Sequence, residues 1–337
     1  MITYIIRRLF AAVVLLFIVS AATFSIFYLI PRLVGGTPET LATRYVGRAA
    51  TAETVTLIAE KLGFYDPFWI QYANWVKGIF VGAEYDYGAG VESCPAPCFG
   101  YSFITRQPVW PDLLDRVPVT LSLAIGASIL WLAFGLTTGV VSALRRGSFL
   151  DRAAMTFSLA GVSLPIFFTG MIALLVFSYK LNLTAPGGTY TPFFESPSQW
   201  AYALLLPWIV LALQFSAQYA RLTRAGMLET MSEDYIRTAR AKGLKDRDVN
   251  LKHGLRSALT PILTIFGLDF GLLLGGAVLT EQVFSLPGLG KYAVDAITTN
   301  DLPKVLGVTL MAATFVVVAN LIVDLLYAVV DPRVRVG

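Results

Sequence analysis

The chain has 337 residues, 56% hydrophobic and only 14% charged, with a mean hydropathy of +0.66. Soluble domains carry about 25% charged residues, so this balance excludes an ordinary water-soluble globule and makes the protein integral to a membrane. The net charge is +4 at pH 7, and one histidine and two cysteines leave little material for metal or nucleophilic chemistry.

About 20 apolar residues cross a bilayer core of roughly 30 Å. Six segments are long enough and poor enough in charge to do so: residues 9–30, 119–143, 153–179, 201–220, 262–280 and 305–330. Arg7 and Arg8 precede the first span in the manner of a secretory signal. Its apolar run exceeds the roughly 7 to 15 residues of a signal core, so it reads as a retained anchor.

Residues 32–116 form a segment too long for a connector and carry helical signals, so a small folded cap is expected. Asp66 and Pro67 are suited to start a helix, and Trp69, Tyr72, Ala73, Val76 and Phe80 then share one face. That stripe either lies in the outer headgroup region or packs on the cap's own core. Cys94 and Cys98 stand in CPAPC within the cap. On the outer side of a membrane a local disulfide ranks first, ahead of free thiols. A metal site ranks last, because zinc takes four ligands and the single histidine, His253, lies in another loop.

Gly135 and Gly139 in the second span, and Gly267, Gly271 and Gly275 in the fifth, remove bulk from one helix side and permit close approach of a neighbour. Pro165, midway along the third span, breaks regular hydrogen bonding and permits a kink. Three acidic residues fall in or beside spans: Asp269, Glu281 and Asp324. Glu281 and Asp324 lie near opposite ends and read as structural pairs. Asp269 is about 10 Å deep and either faces a translocation path or pairs with an arginine.

Between the fourth and fifth spans lies a polar insert, DYIRTARAKGLKDRDVNLKHGLRSALTP, residues 234–261, with seven Lys and Arg against three Asp. It reads as helix, glycine, helix: Asp234 is expected to cap the first helix, Gly243 to end it in the left-handed conformation, and Asp246 to cap the next. With the N-terminus inside, sixteen Lys and Arg fall in cytoplasmic segments, including Arg333 and Arg335, and three in the two short outer loops. That asymmetry places both termini and the insert in the cytoplasm. Taken alone, so basic an insert serves either anionic headgroups or a soluble partner.

Motifs that resemble catalytic signatures fail on inspection. SLPGLGKY has Ser285 and Tyr292 where a phosphate loop requires glycine and Ser or Thr. GVSLP has Pro165 where a nucleophile elbow requires glycine. An intramembrane enzyme therefore lacks its residues. An ion-driven secondary transporter would show inverted halves or several midplane ionisable groups, and only Asp269 is suitable.

Ala239, Gly243 and Leu255, at spacings of four and twelve, resemble the EAA loop of ABC importer permeases. The phrase DYIRTARAKGL is similar to the version in the dipeptide/oligopeptide permease family. Arg237 stands at the glutamate position of the general pattern and Arg256 at its final proline, with a proline at Pro261. IIRRL, LGFYDPFWIQYANWV, RRGSFLDR, ARLTRAGML, GGAVLTEQVFSLPGLGKY and NLIVDLLYAVVDPRVR extend the resemblance over nearly the whole chain, with residues 92–105 as an insertion.

The resemblance implies an all-α integral membrane protein of the type I ABC importer permease fold, with six transmembrane helices. Residues 1–31 would form the N-terminal end and first helix, 32–116 an extracytoplasmic cap, 117–331 the core with a coupling loop at 221–261, and 332–337 a cytoplasmic tail. It implies a non-enzymatic transport subunit in the cell membrane of a prokaryote. Tyr235, Arg237, Ala239, Arg240, Lys242, Gly243 and Leu255 would couple it to two ATPase subunits or domains. ATP and magnesium would sit on those partners, with no cofactor on this chain. A second homologous permease, an extracytoplasmic binding protein and membrane lipid complete the implied partners, with no nucleic acid. Peptide is the favoured cargo, with nickel and oligosaccharides as alternatives within the family.

Overall fold

In the computed structural model, residues 2–33, 35–43, 51–86, 90–102 and 104–330 are described. The side chain of Asp324 lies outside the described residues, as do Arg333 and Arg335. The chain divides into two compact units, residues 1–118 with 289–315 and residues 119–288 with 316–337.

In the first unit, helix α1 (Ile2–Leu33) carries the apolar stretch Ile6–Ile26, which is long enough to cross a membrane. Two short helices follow, α2 (Pro38–Ala42) and α3 (Ala52–Lys61), each started by a threonine, Thr37 or Thr51, that accepts a backbone N–H. Their small core is Leu41, Ala42, Val55, Ala59 and Phe64. Helix α4 (Phe68–Val81) starts at Pro67, with no side-chain cap from Asp66. The expected stripe is divided between packed and exposed residues. Tyr72 meets Ser20 of α1 at 2.7 Å and Gln71 is buried, whereas Trp69 is 72% and Phe80 77% exposed. Gln71 tolerates burial because its amide donates to the carbonyls of Phe64 and Asp66.

Two small hairpins interrupt the helical pattern: β1 (Ala83–Asp86) with β2 (Val91–Cys94), and β3 (Tyr101–Ser102) with β4 (Gln107–Pro108), both antiparallel. Cys94, the last residue of β2, forms a disulfide with Cys98. The remaining core of this unit joins the start of α5 (Val109–Leu144) to α13 (Leu289–Thr298) and α14 (Leu302–Val330) through Val109, Leu113, Leu289, Tyr292, Val308 and Met311.

The second unit holds the rest of α5 and the helices α6 (Phe149–Ser163), α7 (Ile166–Ala173), α8 (Pro197–Thr230), α9 (Asp234–Ala241), α10 (Asp246–Asp248), α11 (Arg256–Leu274) and α12 (Val278–Val283). Wide π-helical turns run from Leu174 to Lys180 and from Val249 to Leu255. Among the described residues, five helices are long and apolar enough to cross a membrane. The third expected span is divided: Leu164 is extended, Pro165 has no N–H to give, and α7 restarts from its carbonyl. Glycines set the closest approaches. A Cβ on Gly139 of α5 would sit 2.5 Å from Thr223 Cβ of α8, so this pair of helices requires glycine there.

Candidate coupling site and membrane core

Helix α8 is 34 residues long, about 51 Å at 1.5 Å per residue, and so exceeds the bilayer core. Its end reaches the polar insert, where three residues turn the chain into α9. Ile236 and Ala239, three apart on one side of α9, pack with Val249 and Met231. Tyr235, Arg237, Arg240 and the following Lys242 are all exposed.

Asp234 does not cap α9. Glu233 occupies the cap position without a side-chain bond, and Asp234 is the first helical residue, where its charge still complements the positive end of the helix dipole. Lys245, likewise, precedes α10, and Asp246 is its first residue. The expected glycine stop has the expected geometry: Gly243 has φ +77°. Its N–H reaches the Arg240 carbonyl at 2.9 Å, and the Leu244 N–H reaches the Ala239 carbonyl at 3.4 Å. This paired closure satisfies carbonyls that a helix end leaves open.

The insert is anchored to the long helices rather than hung from them. Met231 belongs to the small core under α9 and also packs on Ala143, Met227 and Ala258, which come from α5, α8 and α11. Leu255 packs against that same group. Gly254 closes the joint, since a Cβ there would be 3.0 Å from Met231 Sδ. His253 is exposed.

Higher on α8, Arg224 makes a contact that the sequence reading missed. Its Nε donates to Asp151 Oδ1 at 2.7 Å and its Nη2 to Oδ2 at 3.0 Å. Ser142 of α5 donates to the same carboxylate, and so does the Gly147 N–H, at 2.9 Å. Asp151 is 4% exposed, so four donors replace its water. The Arg224 guanidinium first, then the Ser142 hydroxyl and the Gly147 N–H, hold its carboxyl well below the usual carboxylate range. Opposite charges in RRGSFLDR and ARLTRAGML were the available signal, but neither sequence position points to the other.

Deeper in the membrane, Asp269 of α11 accepts from the Tyr219 hydroxyl of α8 at 2.9 Å. Its partner is therefore a tyrosine, where an arginine had been one expectation. Trp131 of α5 stacks on Phe215 beside Tyr219. Asp269 lies in a packed aromatic neighbourhood apart from the α9 surface. Glu281 is fully buried and accepts from Thr120 at 2.8 Å, as a structural pair.

Comparison with known proteins agrees with this architecture along the chain. Residues 1–124 match the N-terminal membrane component of binding-protein-dependent transport systems, and residues 135–336 match the inner membrane component of those systems. The di/tripeptide transport system permease protein DppB of Pseudomonas aeruginosa is 39% identical, over 99% of both chains. A Brucella abortus protein provisionally named as a peptide transport system permease is 39% identical over 98% of both. The glutathione transport system permease protein GsiC of Escherichia coli is 34% identical over 99% of both. Matches that run almost end to end, joined to five membrane-length helices and the ordered insert, lead to one conclusion: the chain belongs to the binding-protein-dependent transport system inner membrane component family, among its dipeptide/oligopeptide ABC permeases.

Proposed function

We propose that this chain forms half of the membrane passage of an ATP-driven importer of short peptides, and that α9 is the surface by which a cytoplasmic ATPase moves it. The carrying observation is the form of the insert. Its apolar side is closed by Met231 and Val249, its basic side is exposed, and its core is continuous with the ends of α5, α8 and α11. An ordered, exposed helix fixed to several spans can act as a lever on them. Lipid headgroups attract basic charge without requiring such a fixed helix.

In this reading ATP and magnesium belong to partner subunits. A second, homologous permease completes the passage, and a binding protein delivers cargo to the outer side. Both termini are placed in the cytoplasm, a reading that the distribution of Lys and Arg supports. Tyr235, Arg237, Arg240 and Lys242 meet the ATPase directly. Ala239, Gly243 and Leu255 hold the surface in shape. Residues 32–116 form the outer cap, stapled by Cys94 and Cys98. Two of the three relatives above are named for peptides and the third for glutathione, which favours a short peptide over nickel or an oligosaccharide.

Copurification in mild detergent tests the coupling role. The unmodified chain is expected to retain the ATPase, while a Tyr235→Ala, Arg240→Glu variant inserts in the membrane but loses it. Full retention by that variant, with loss only of binding to anionic vesicles, would assign the insert to lipid instead.

A further inference from the structure

Helix α8 has two uncovered faces of different chemistry. Tyr202, Leu205, Ile209 and Leu213 are exposed at helical spacing and make an apolar stripe suited to acyl chains. One residue further on, about 100° round the helix, Gln214 is partly buried and Gln218, one turn along, is exposed. The other directions are taken: Tyr219 and Thr223 lie against Gly135 and Gly139 of α5, and Ala217 lies close to Gly161 of α6.

Depth makes the two glutamines informative. At helical rise Gln214 lies about 9 Å inside the α9-side end of the expected span, residues 201–220, and Gln218 about 3 Å inside it. A carboxamide carries two donors and an acceptor, none of which hydrocarbon can satisfy. Polar side chains at this depth face a bundle interior or a water-filled cavity. The apolar stripe already supplies α8 with a lipid-facing side, so the glutamine side belongs to an aqueous lumen.

Resting on the transport reading above, we propose that Gln214 and Gln218 line the translocation path and hydrogen-bond the backbone amides of the passing peptide. The chemistry matches: a peptide bond offers one N–H and one C=O, and an uncharged carboxamide pairs with both whatever the neighbouring side chains are. Such a lining holds a peptide without selecting its sequence.

The test uses the full complex in vesicles, with labelled dipeptide outside and ATP on the ATPase side. Gln214→Leu with Gln218→Leu is expected to lower uptake about 10-fold, the loss of two ordinary hydrogen bonds, while subunit assembly and ATP hydrolysis persist. A Gln218→Glu variant is expected to shift preference toward lysine-containing over aspartate-containing dipeptides, which a purely structural role would not produce. Undiminished uptake by the double leucine variant overturns the proposal and leaves the transport reading intact. Loss of the second permease subunit from that variant also overturns it, by placing the stripe in a subunit interface. If the unmodified complex accumulates no peptide, the transport reading fails, and this assignment falls with it.

Discussion

Arg224 and Asp151 meet through two parallel hydrogen bonds of 2.7 and 3.0 Å, although 73 residues separate them in the chain. With Ser142 and the Gly147 N–H on the same carboxylate, this contact ties α5, α6 and α8 together on the α9 side of the second unit. In the proposed coupling role, a movement imposed on α9 would pass through Met231 and the end of α8 into helices that share the ion pair.

The ion pair has a defined pH signature. The folded carboxyl of Asp151 titrates below its unfolded value, so its stabilisation is fully present above the ordinary aspartate range and is lost only as pH falls through the folded value. Arg224 remains protonated throughout. The melting temperature of an Asp151→Asn variant is therefore expected to lie below that of the unmodified protein by a gap that stays constant from about pH 5 to about pH 8 and shrinks in stronger acid. A gap that closes between those two values would show that another group controls it.

Gly139 gives a packing prediction. A Cβ at that position would lie 2.5 Å from Thr223 Cβ and 2.7 Å from the Ala220 carbonyl oxygen, so backbone must shift. Gly139→Ala is expected to cost about 1–3 kcal/mol, the usual range for overpacking. Gly90→Ala meets nothing within 4 Å and serves as the control, expected within about 0.5 kcal/mol of the unmodified protein. Thermal melts of the two variants side by side decide it.

What was legible in the sequence was local or periodic. Gly243 could be placed because a helix stop with positive φ is a single-residue requirement, and the spans because hydropathy integrates over 20 residues. Pro165 announced the break between α6 and α7 for the same reason. Pairings between distant residues were not legible: Tyr219 and Asp269 are 50 residues apart, and periodicity marks a helix side without naming what covers it. On α4, counting apolar residues marked Tyr72, which packs on α1, together with Trp69 and Phe80, which stay exposed, but it passed over the covered Gln71, whose amide is satisfied by carbonyls that no pattern reveals. The strands β1 and β2 have four residues each, too few for an alternation to stand out within a cap expected to be helical.

Gly288 and Glu281 should behave as a coupled pair. A Cβ on Gly288 would fall 2.4 Å from the Glu281 carboxyl carbon, so the fully buried carboxyl would have to shift away from it and from its bond to Thr120. Gly288→Ala is expected to destabilise on its own. Combined with Glu281→Ala it should cost less than the two single changes together, with a coupling of about 0.5–3 kcal/mol. Strict additivity of the melts would contradict the contact.

Cys94 and Cys98 are the only cysteines in the chain and are joined to each other. Protein purified without reductant is expected to take up no maleimide in the denatured state, and to take up two after reduction. Labelling before reduction would show that the cap carries free thiols.

Uphill transport in defined vesicles tests the central claim most directly. This chain, the second permease subunit and the ATPase subunits are reconstituted together, with binding protein and labelled dipeptide outside and ATP on the ATPase side. Accumulation is expected with all components present, and none when the ATPase is omitted or when Tyr235 and Arg240 are replaced as above. Dipeptide concentrated by vesicles that hold only the permease subunits would contradict the account.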